Sequence, residues 1–254
     1  MSNVYEIEPD EKVVEIEVER LRNFHDHPFK IRADQQMLQL IDSISQYGII
    51  NPLIVRPLLE GAYEIISGHR RKYAAQQLGY RKVPVIIRVL KDEDAVIGIV
   101  DSNLHRDKVL PSEKALAYRM KYEAVRQKSG RKSSGQIDYH ILGRKTVEII
   151  GEEAGESPKQ VQRYLKISEL VPELMEMLDE GKIAFNPAYE AAFLKKEEQL
   201  LAKAITYVQS SPSISQAQRM KNLSREGNLT VRQIQAILSE VKKGEINRVM
   251  FKNE

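Results

Sequence analysis

The sequence predicts an α+β protein: a small mixed α/β N-terminal domain over residues 1–106, an all-α domain with a helix-turn-helix over 107–206, and a short helical C-terminal segment over 207–254. Two observations carry that prediction. Short strand-like apolar stretches interleave with helical ones between Val13 and Arg106, and beyond Arg106 the apolar spacing is helical almost everywhere.

The elements follow in order. VVEIEV, starting at Val13, alternates as a half-buried strand does. QQMLQLIDSISQYG spaces Leu38, Ile41 and Ile44 along a helix that Gly48 closes. NPLIVRPL is a strand bounded by Pro52 and Pro57, AYEIISG another, RRKYAAQQLG a helix stopped by Gly79, and VPVIIRVL a further strand. DEDAVIGIVDSNLHR reads as a helix leading out of this domain. Pro111 and Ser112 open a helix that runs to about Val125, and QKSGRKSSGQ is a polar connection of the Gly/Ser-rich kind expected to be mobile. Lys145 to Glu169 has the pattern of a helix pair, VPELMEMLDEGK is a helix ending at Gly181, and NPAYEAAFLKKEEQLLAKAITYV holds one or two more. A third part starts near Ser211, where a capping box at Thr230 precedes Val231, Ile234, Ile237, Leu238 and Val241.

Composition narrows the chemistry. Among 254 residues, 42% are hydrophobic and 30% charged, and no apolar run approaches the eighteen or so residues of a membrane span. The acidic start MSNVYEIEPDE lacks the features of a secretory signal, so a cytoplasmic protein with no membrane partner is expected. With zero cysteines, thiolate nucleophiles and every cysteine-ligated metal site are excluded. The histidines His25, His27, His105 and His140 lack metal-ligand spacing, and the aromatic residues show no alternation with basic ones that would make a single-strand stacking platform.

The net charge of +3 is small, but it is unevenly spread. Residues 1–20 carry seven acids against Lys12 and Arg20, a balance of −5, whereas residues 126–145 carry six bases against Asp138, a balance of +5. A basic segment beside a helix pair suits a polyanion, and equally suits a solvated loop.

In VEIIGEEAGESPKQVQRYL the spacing is that of a helix-turn-helix. Gly151 sits where two helix backbones approach closely, Gly155 suits the positive φ of a tight turn, and Ile150, Ala154 and Val161 supply apolar contacts. Ser157 as N-cap, Pro158 in the first turn and Gln160 at the third helical position define the start of the second helix. Lys159, Gln160, Gln162 and Arg163 then fall on the face left after Val161, Tyr164 and Leu165 turn inward. That face suits base edges in a major groove of double-stranded DNA, with Arg144, Lys145 and Thr146 toward phosphates. The same pattern also fits a helical hairpin with a solvated face.

SGHRRKYAAQQLGYRKVPVIIRVL places a glycine and two arginines where a strand turns into a helix. Gly68 permits close approach to the backbone, the helix N-terminus offers N–H groups, and Arg70 and Arg71 are cationic forks suited to phosphate oxygens. Strand-to-helix joints with surface arginines are common without any ligand.

The order GIINPLIVRPL, EIISGHRRKYAAQQLGYRKVPVII, DSNLHRDKVLPSEKALAY and then the helix pair resembles the ParB family of DNA-partition proteins, including its nucleoid-occlusion relatives, from roughly Glu17 to Thr206. The resemblance implies a CTP-binding N-terminal domain and a helix-turn-helix reading a palindromic centromere-like site. It also implies a dimeric clamp that closes on DNA when nucleotide binds, and recruitment of a ParA-type ATPase. Such a protein is associated with the bacterial nucleoid or a plasmid. Gly68, Arg70 and Arg71 match the family's G-E-R-R phosphate motif, with Ser67 before it and His69 in place of the glutamate. Asn103 and Arg106 match its E-N-x-x-R motif near metal and triphosphate, and HPFK at His27 to Lys30 is a weak match to the first nucleotide-contacting motif. Ser102 stands where the family's Mg²⁺-binding glutamate falls, beside Asn103 and one residue after Asp101, so nucleotide binding is expected to survive better than CTP hydrolysis. VKKGEINRVMFKNE, which follows Ser239-Glu240, is short for the family's C-terminal dimerisation domain, which is therefore expected to be absent or to lie outside this chain.

Two alternatives remain at this level: a DNA-binding transcriptional regulator whose N-terminal domain binds no nucleotide, and a nuclease on the same fold. Sulfiredoxins resemble the Gly68 joint but act through a cysteine, which this chain lacks.

Overall fold

A computed structural model describes residues 11–104, 109–128, 144–201 and 211–240, the side chains of 144, 145, 200 and 201 excepted. These residues fall into two compact units, one drawn from Met1–Val109 and Met120–Gly155, the other from Leu110–Arg119 and Glu156–Glu254. No helix among the described residues is long and apolar enough to cross a membrane.

The first unit is built on strands β1 (Val13–Glu17), β2 (Leu21–Arg22), β3 (Leu53–Pro57), β4 (Tyr63–Ser67) and β5 (Lys82–Ile87), in the sheet order β1-β5-β3-β4-β2. Pairing is mixed: β1 runs antiparallel to β5 and β3 antiparallel to β4, whereas β3–β5 and β2–β4 are parallel. The apolar run of β3 follows from its central place, because a strand covered on both faces has no polar side to show. Leu53 and Val55 join Ile65, Val83 and Val85 in one core, where Ala75 of helix α2 (His69–Gln77) also packs. Ile54 and Ile66, one residue out of phase, enter a second core with Ala95 and Ile99 of α3 (Asp92–Leu104). The period of two thus assigns α2 to one side of the sheet and α3 to the other.

Helix α1 (Gln35–Tyr47) is capped by Asp34, whose carboxylate accepts from Met37 N–H at 2.8 Å, and is closed by Gly48 at φ +70°. Its inward stripe differs from the expected one. Met37 and Ile44 are buried with Leu40 and Ile41 half-buried between them, while Leu38 is 60% exposed. Leu38 lies one position round the helix from Met37, and the seven-residue step from Met37 to Ile44 sets the buried line. The short β2 was not anticipated, since two residues carry no period.

Helix α4 (Pro111–Lys128) contributes residues to both units, and α5 (Arg144–Ala154) belongs to the first. The second unit contains α6 (Pro158–Ile167), α7 (Pro172–Asp179), α8 (Phe185–Ala191), α9 (Lys196–Leu201), α10 (Ile214–Arg225) and α11 (Val231–Ser239). Ile167, Leu174, Leu178, Ala188, Ala217, Met220, Ile234 and Leu238 share one core, so α10 and α11 pack with α6–α8. The capping box at Thr230 forms with Gln233 as expected. A second one, Ser213 with Gln216, starts α10, where the sequence has the same Ser-x-x-Gln spacing.

Candidate functional site

Strand β4 ends at Ser67, and the chain turns into α2 through Gly68 at φ +109° and ψ 18°. Glycine is required there twice over. The backbone is left-handed, and a Cβ would sit 2.7 Å from Leu53 Cγ. The first helical bond of α2 runs from Lys72 N–H to Gly68 O at 2.9 Å, so the N–H groups of residues 69–71 precede the ladder at the positive end of the helix.

Beside this joint lies a cleft of about 340 Å³. Ser67, Gly68, His69, Arg70 and Arg71 line it together with Ser102 and Asn103 of α3 and with Gln36 and Leu40 of α1. Seven expected site residues, from two segments of the chain, therefore meet in one place. Arg106 lies outside the described residues. Gln36 and Leu40 were not expected, because α1 carries no motif that marks it as a wall.

The two arginines are not equivalent. Arg71 donates to the carbonyl oxygens of Asn51 and, at 2.7 Å, Pro52, and burial pushes its guanidinium below the usual arginine range. Arginine nevertheless stays charged at any ordinary pH. It braces the strand entry as well as facing the cleft. Among the described residues Arg70 makes only long contacts, 3.5 Å to Gln36 Oε1 and 3.4 Å to Asp34 Oδ1, and its Nε is buried with no partner there. On the opposite wall Asn103, 3% exposed, donates to Ile99 O at 2.7 Å and to Ser102 Oγ at 2.9 Å. Its Oδ1 has no partner among the described residues. A buried polar atom left unpaired is costly, so a donor and an acceptor left this way on the cleft's lining residues point to a polar ligand.

His69 is buried, its ring centroid 4.0 Å from that of His27, while His27 Nδ1 lies 2.7 Å from Phe29 O. This brings the HPFK segment against the Gly68 joint.

The Mg²⁺ implied by the resemblance does not fit these residues. The oxygens at its expected place are the Ser102 hydroxyl, already donating to Ile99 O at 3.0 Å, and the neutral Asn103 amide. The neighbouring Asp101 carboxylate is engaged by Lys121. Magnesium favours anionic oxygen, and no cluster of three or more His, Cys, Asp or Glu suited to a metal occurs among the described residues.

In the helix pair, α5 buries Thr146, Val147, Ile150 and Gly151. Gly155 follows at φ +66°, and Ser157 Oγ accepts from Gln160 N–H at 3.2 Å to start α6 with Pro158 in its first turn. The expected capping box is present by one arm, the Ser157 side chain. Val161 and Leu165 are buried, Lys159 is exposed, and Gln160, Gln162 and Arg163 are half-buried. Arg163 donates to Asn186 Oδ1 and lies 5.1 Å from the ring centroids of both Phe185 and Tyr189. Lys159, Gln162 and Arg163 thus face a groove of about 390 Å³ whose other walls include Asn186 and Tyr189 of α8 and Ile214 and Gln218 of α10. The α8 residues were missed in the sequence, where NPAY reads only as a helix start. Arg144 and Lys145 begin α5, but their side chains are outside the description. Thr146, the third expected phosphate contact, is buried.

Comparison with known proteins finds relatives that cover most of the chain. The chain is 29% identical over 188 residues to the Chromosome-partitioning protein Spo0J of Thermus thermophilus, covering 74% of this chain and 62% of that one. It is 28% identical over 191 residues to the Nucleoid occlusion protein of a Geobacillus species, covering 75% and 62%. The chain therefore spans about three fifths of the length of these relatives. The solved Pnob8-like ParB-N domain superposes with a TM-score of 0.53 at 16% identity, over 95% of this chain and 97% of that one, which is a likeness of fold. The model of the ParB N-terminal domain matches residues 3–104, the stretch that holds the sheet and both walls of the cleft. Over those residues the chain is similar to the ParB N-terminal domain family.

Proposed function

We propose that this chain is a CTP-responsive, sequence-specific DNA-binding protein of the partition type, acting in the segregation of a bacterial chromosome, plasmid or mobile element. The observation that carries the nucleotide half is the cleft in which residues 67–71 meet Ser102 and Asn103 with Arg70 Nε and Asn103 Oδ1 still unpaired among the described residues. A triphosphate suits it: the α2 N-terminus and Arg70 supply positive charge, Arg71 a second fork, and Gly68 the room for oxygens to reach the backbone. The Asn103 amide would accept from a sugar hydroxyl or a base amino group. With no carboxylate among the cleft's described lining residues, binding by cationic and neutral groups is the function and hydrolysis is weak or absent.

The DNA half rests on α6, whose exposed Lys159 and half-buried Gln160, Gln162 and Arg163 form a polar face suited to a major groove. The resemblance to partition proteins implies a palindromic centromere-like target, a homodimeric clamp and a ParA-type ATPase as partners, and the relatives named for chromosome partitioning and nucleoid occlusion support a place at the nucleoid or plasmid.

Calorimetric titration with CTP, ATP and GTP, with and without Mg²⁺, tests the first half. CTP binding that exceeds the purine nucleotides supports it, and no heat with any of the three leaves a DNA-binding regulator without nucleotide. Sequencing of host DNA co-purified with the chain, with and without CTP, tests the second; no enriched site overturns it. Incubation with supercoiled plasmid and Mg²⁺ would reveal a nuclease if the plasmid is nicked.

A further inference from the structure

Within the first unit, Lys121 of α4 is 1% exposed, although lysine is among the residues least often taken out of water. Its ammonium is held by two carboxylates from two other helices: Asp101 of α3, and Glu153 of α5 with its Oε2 2.5 Å away. Asp101 and Glu153 are themselves partly exposed, so the lysine is the buried hub and the acids are the spokes. An ammonium in such a place persists only while its partners stay close, which ties α3 and α5 to the same point of α4.

The positions of the two acids give this tie a direction. Asp101 directly precedes Ser102 and Asn103, which line the cleft from the same helix. Glu153 stands at the end of α5, two residues before Gly155 at φ +66° and four before the Ser157 cap of α6. A shift or rotation of the end of α3, as Asn103 takes up a ligand with the Oδ1 that has no partner among the described residues, carries the Asp101 carboxylate with it. The ammonium must then follow one acid or divide itself differently between the two. A buried charge has few acceptable arrangements, so the response is a switch between discrete states.

We propose that Lys121 is a positioning residue that passes occupancy of the cleft to α5 through its shared ion pairs with Asp101 and Glu153. The proposal rests on the reading of the cleft as a CTP site. It assigns a role to three side chains to which the motif readings above give none, although Asp101 and Glu153 lie within two of the quoted stretches.

The test is amide hydrogen exchange of the full chain with and without CTP, read separately in α2 (residues 69–77) and α5 (residues 144–154). Glu153→Gln is the main variant, because Glu153 is half-exposed and its amide keeps the shape of the side chain; Asp101→Asn is the second. In the wild type, CTP should slow exchange in both helices. In either variant the α2 response should persist while the α5 response falls by about threefold or more, the size of an ordinary coupling between sites. Lower global stability alone would raise exchange with and without CTP and would leave their ratio in α5 tracking that in α2. An α5 response that is absent in the wild type, or retained in both variants while α2 responds, overturns the relay alone. An α2 that ignores CTP overturns the nucleotide reading and this proposal with it.

Discussion

Gly68 packs its backbone against Leu53 so closely that a Cβ there would lie 2.7 Å from Leu53 Cγ. Leu53 is fully buried in the sheet core, so it has little room to yield. Gly68→Ala meets both this contact and a φ of +109°, and should destabilise the first unit by about 1–3 kcal/mol. Chemical denaturation gives the difference. A loss well under that range would mean the joint relaxes easily.

Arg70→Ala and Arg71→Ala should separate binding from stability. Arg70 makes two long contacts and should lose CTP affinity, with the unfolding midpoint nearly unchanged. Arg71 holds two backbone carbonyls, so its removal should weaken both CTP binding and the fold, by about 1–3 kcal/mol for the carbonyls left without their charged donor. Calorimetry paired with thermal unfolding checks the contrast. Equal melting temperatures for the two variants would contradict it.

Ser102→Glu should introduce a metal dependence. The substitution places an anionic oxygen on the cleft wall, where the present donors are a hydroxyl and an amide. CTP affinity in the variant should rise on adding Mg²⁺, and any CTP hydrolysis should increase, whereas the wild type should be nearly indifferent to the metal. Brisk Mg²⁺-dependent hydrolysis by the wild type would show that the ligand is another residue.

On the DNA side, Arg163→Ala should cost about 1–3 kcal/mol on a cognate site and much less on random DNA, if its fork reads a guanine. Asn186 and the rings of Phe185 and Tyr189 already orient that fork, so little ordering remains to be done on binding. Lys132→Ala, in the basic segment, should instead weaken all sequences alike and flatten the salt dependence. Fluorescence anisotropy at two salt concentrations distinguishes the pair. Equal losses of Arg163→Ala on cognate and random DNA would remove α6 as the reader.

Tyr118 predicts an alkaline limit. It is fully buried, its hydroxyl has no partner among the described residues, and burial followed by the Glu156 carboxylate and Tyr164 raises its phenol above the ordinary value. The folded state therefore keeps a proton that the unfolded chain loses above about pH 10, so this contribution is whole below that pH and declines as pH rises beyond it. Tyr118→Phe should be close to neutral near pH 7, since the lost hydroxyl has no hydrogen-bond partner among the described residues, and should flatten the alkaline decline. Urea midpoints at about pH 8 and about pH 10.5 measure both effects.

The sequence by itself determined what depends on neighbours a few residues apart. The strands at Val13, Leu53, Tyr63 and Lys82, the closing glycines Gly48 and Gly155, and the caps at Ser157 and Thr230 all stand where spacing and backbone chemistry put them. Family motifs likewise marked Ser67–Arg71, Ser102 and Asn103, though not that the two groups meet. That meeting follows from sheet order: β4 lies between β3 and β2, and successive residues of the sheet face α2 on one side and α3 on the other. Tertiary packing also decided which line of α1 turns inward, that Arg71 braces carbonyls while Arg70 does not, and that Arg163 rests on α8. Lys121 is the clearest case. A lysine on a helix reads as solvated by any local rule, and only the arrival of Asp101 and Glu153 from helices distant in sequence makes its burial possible.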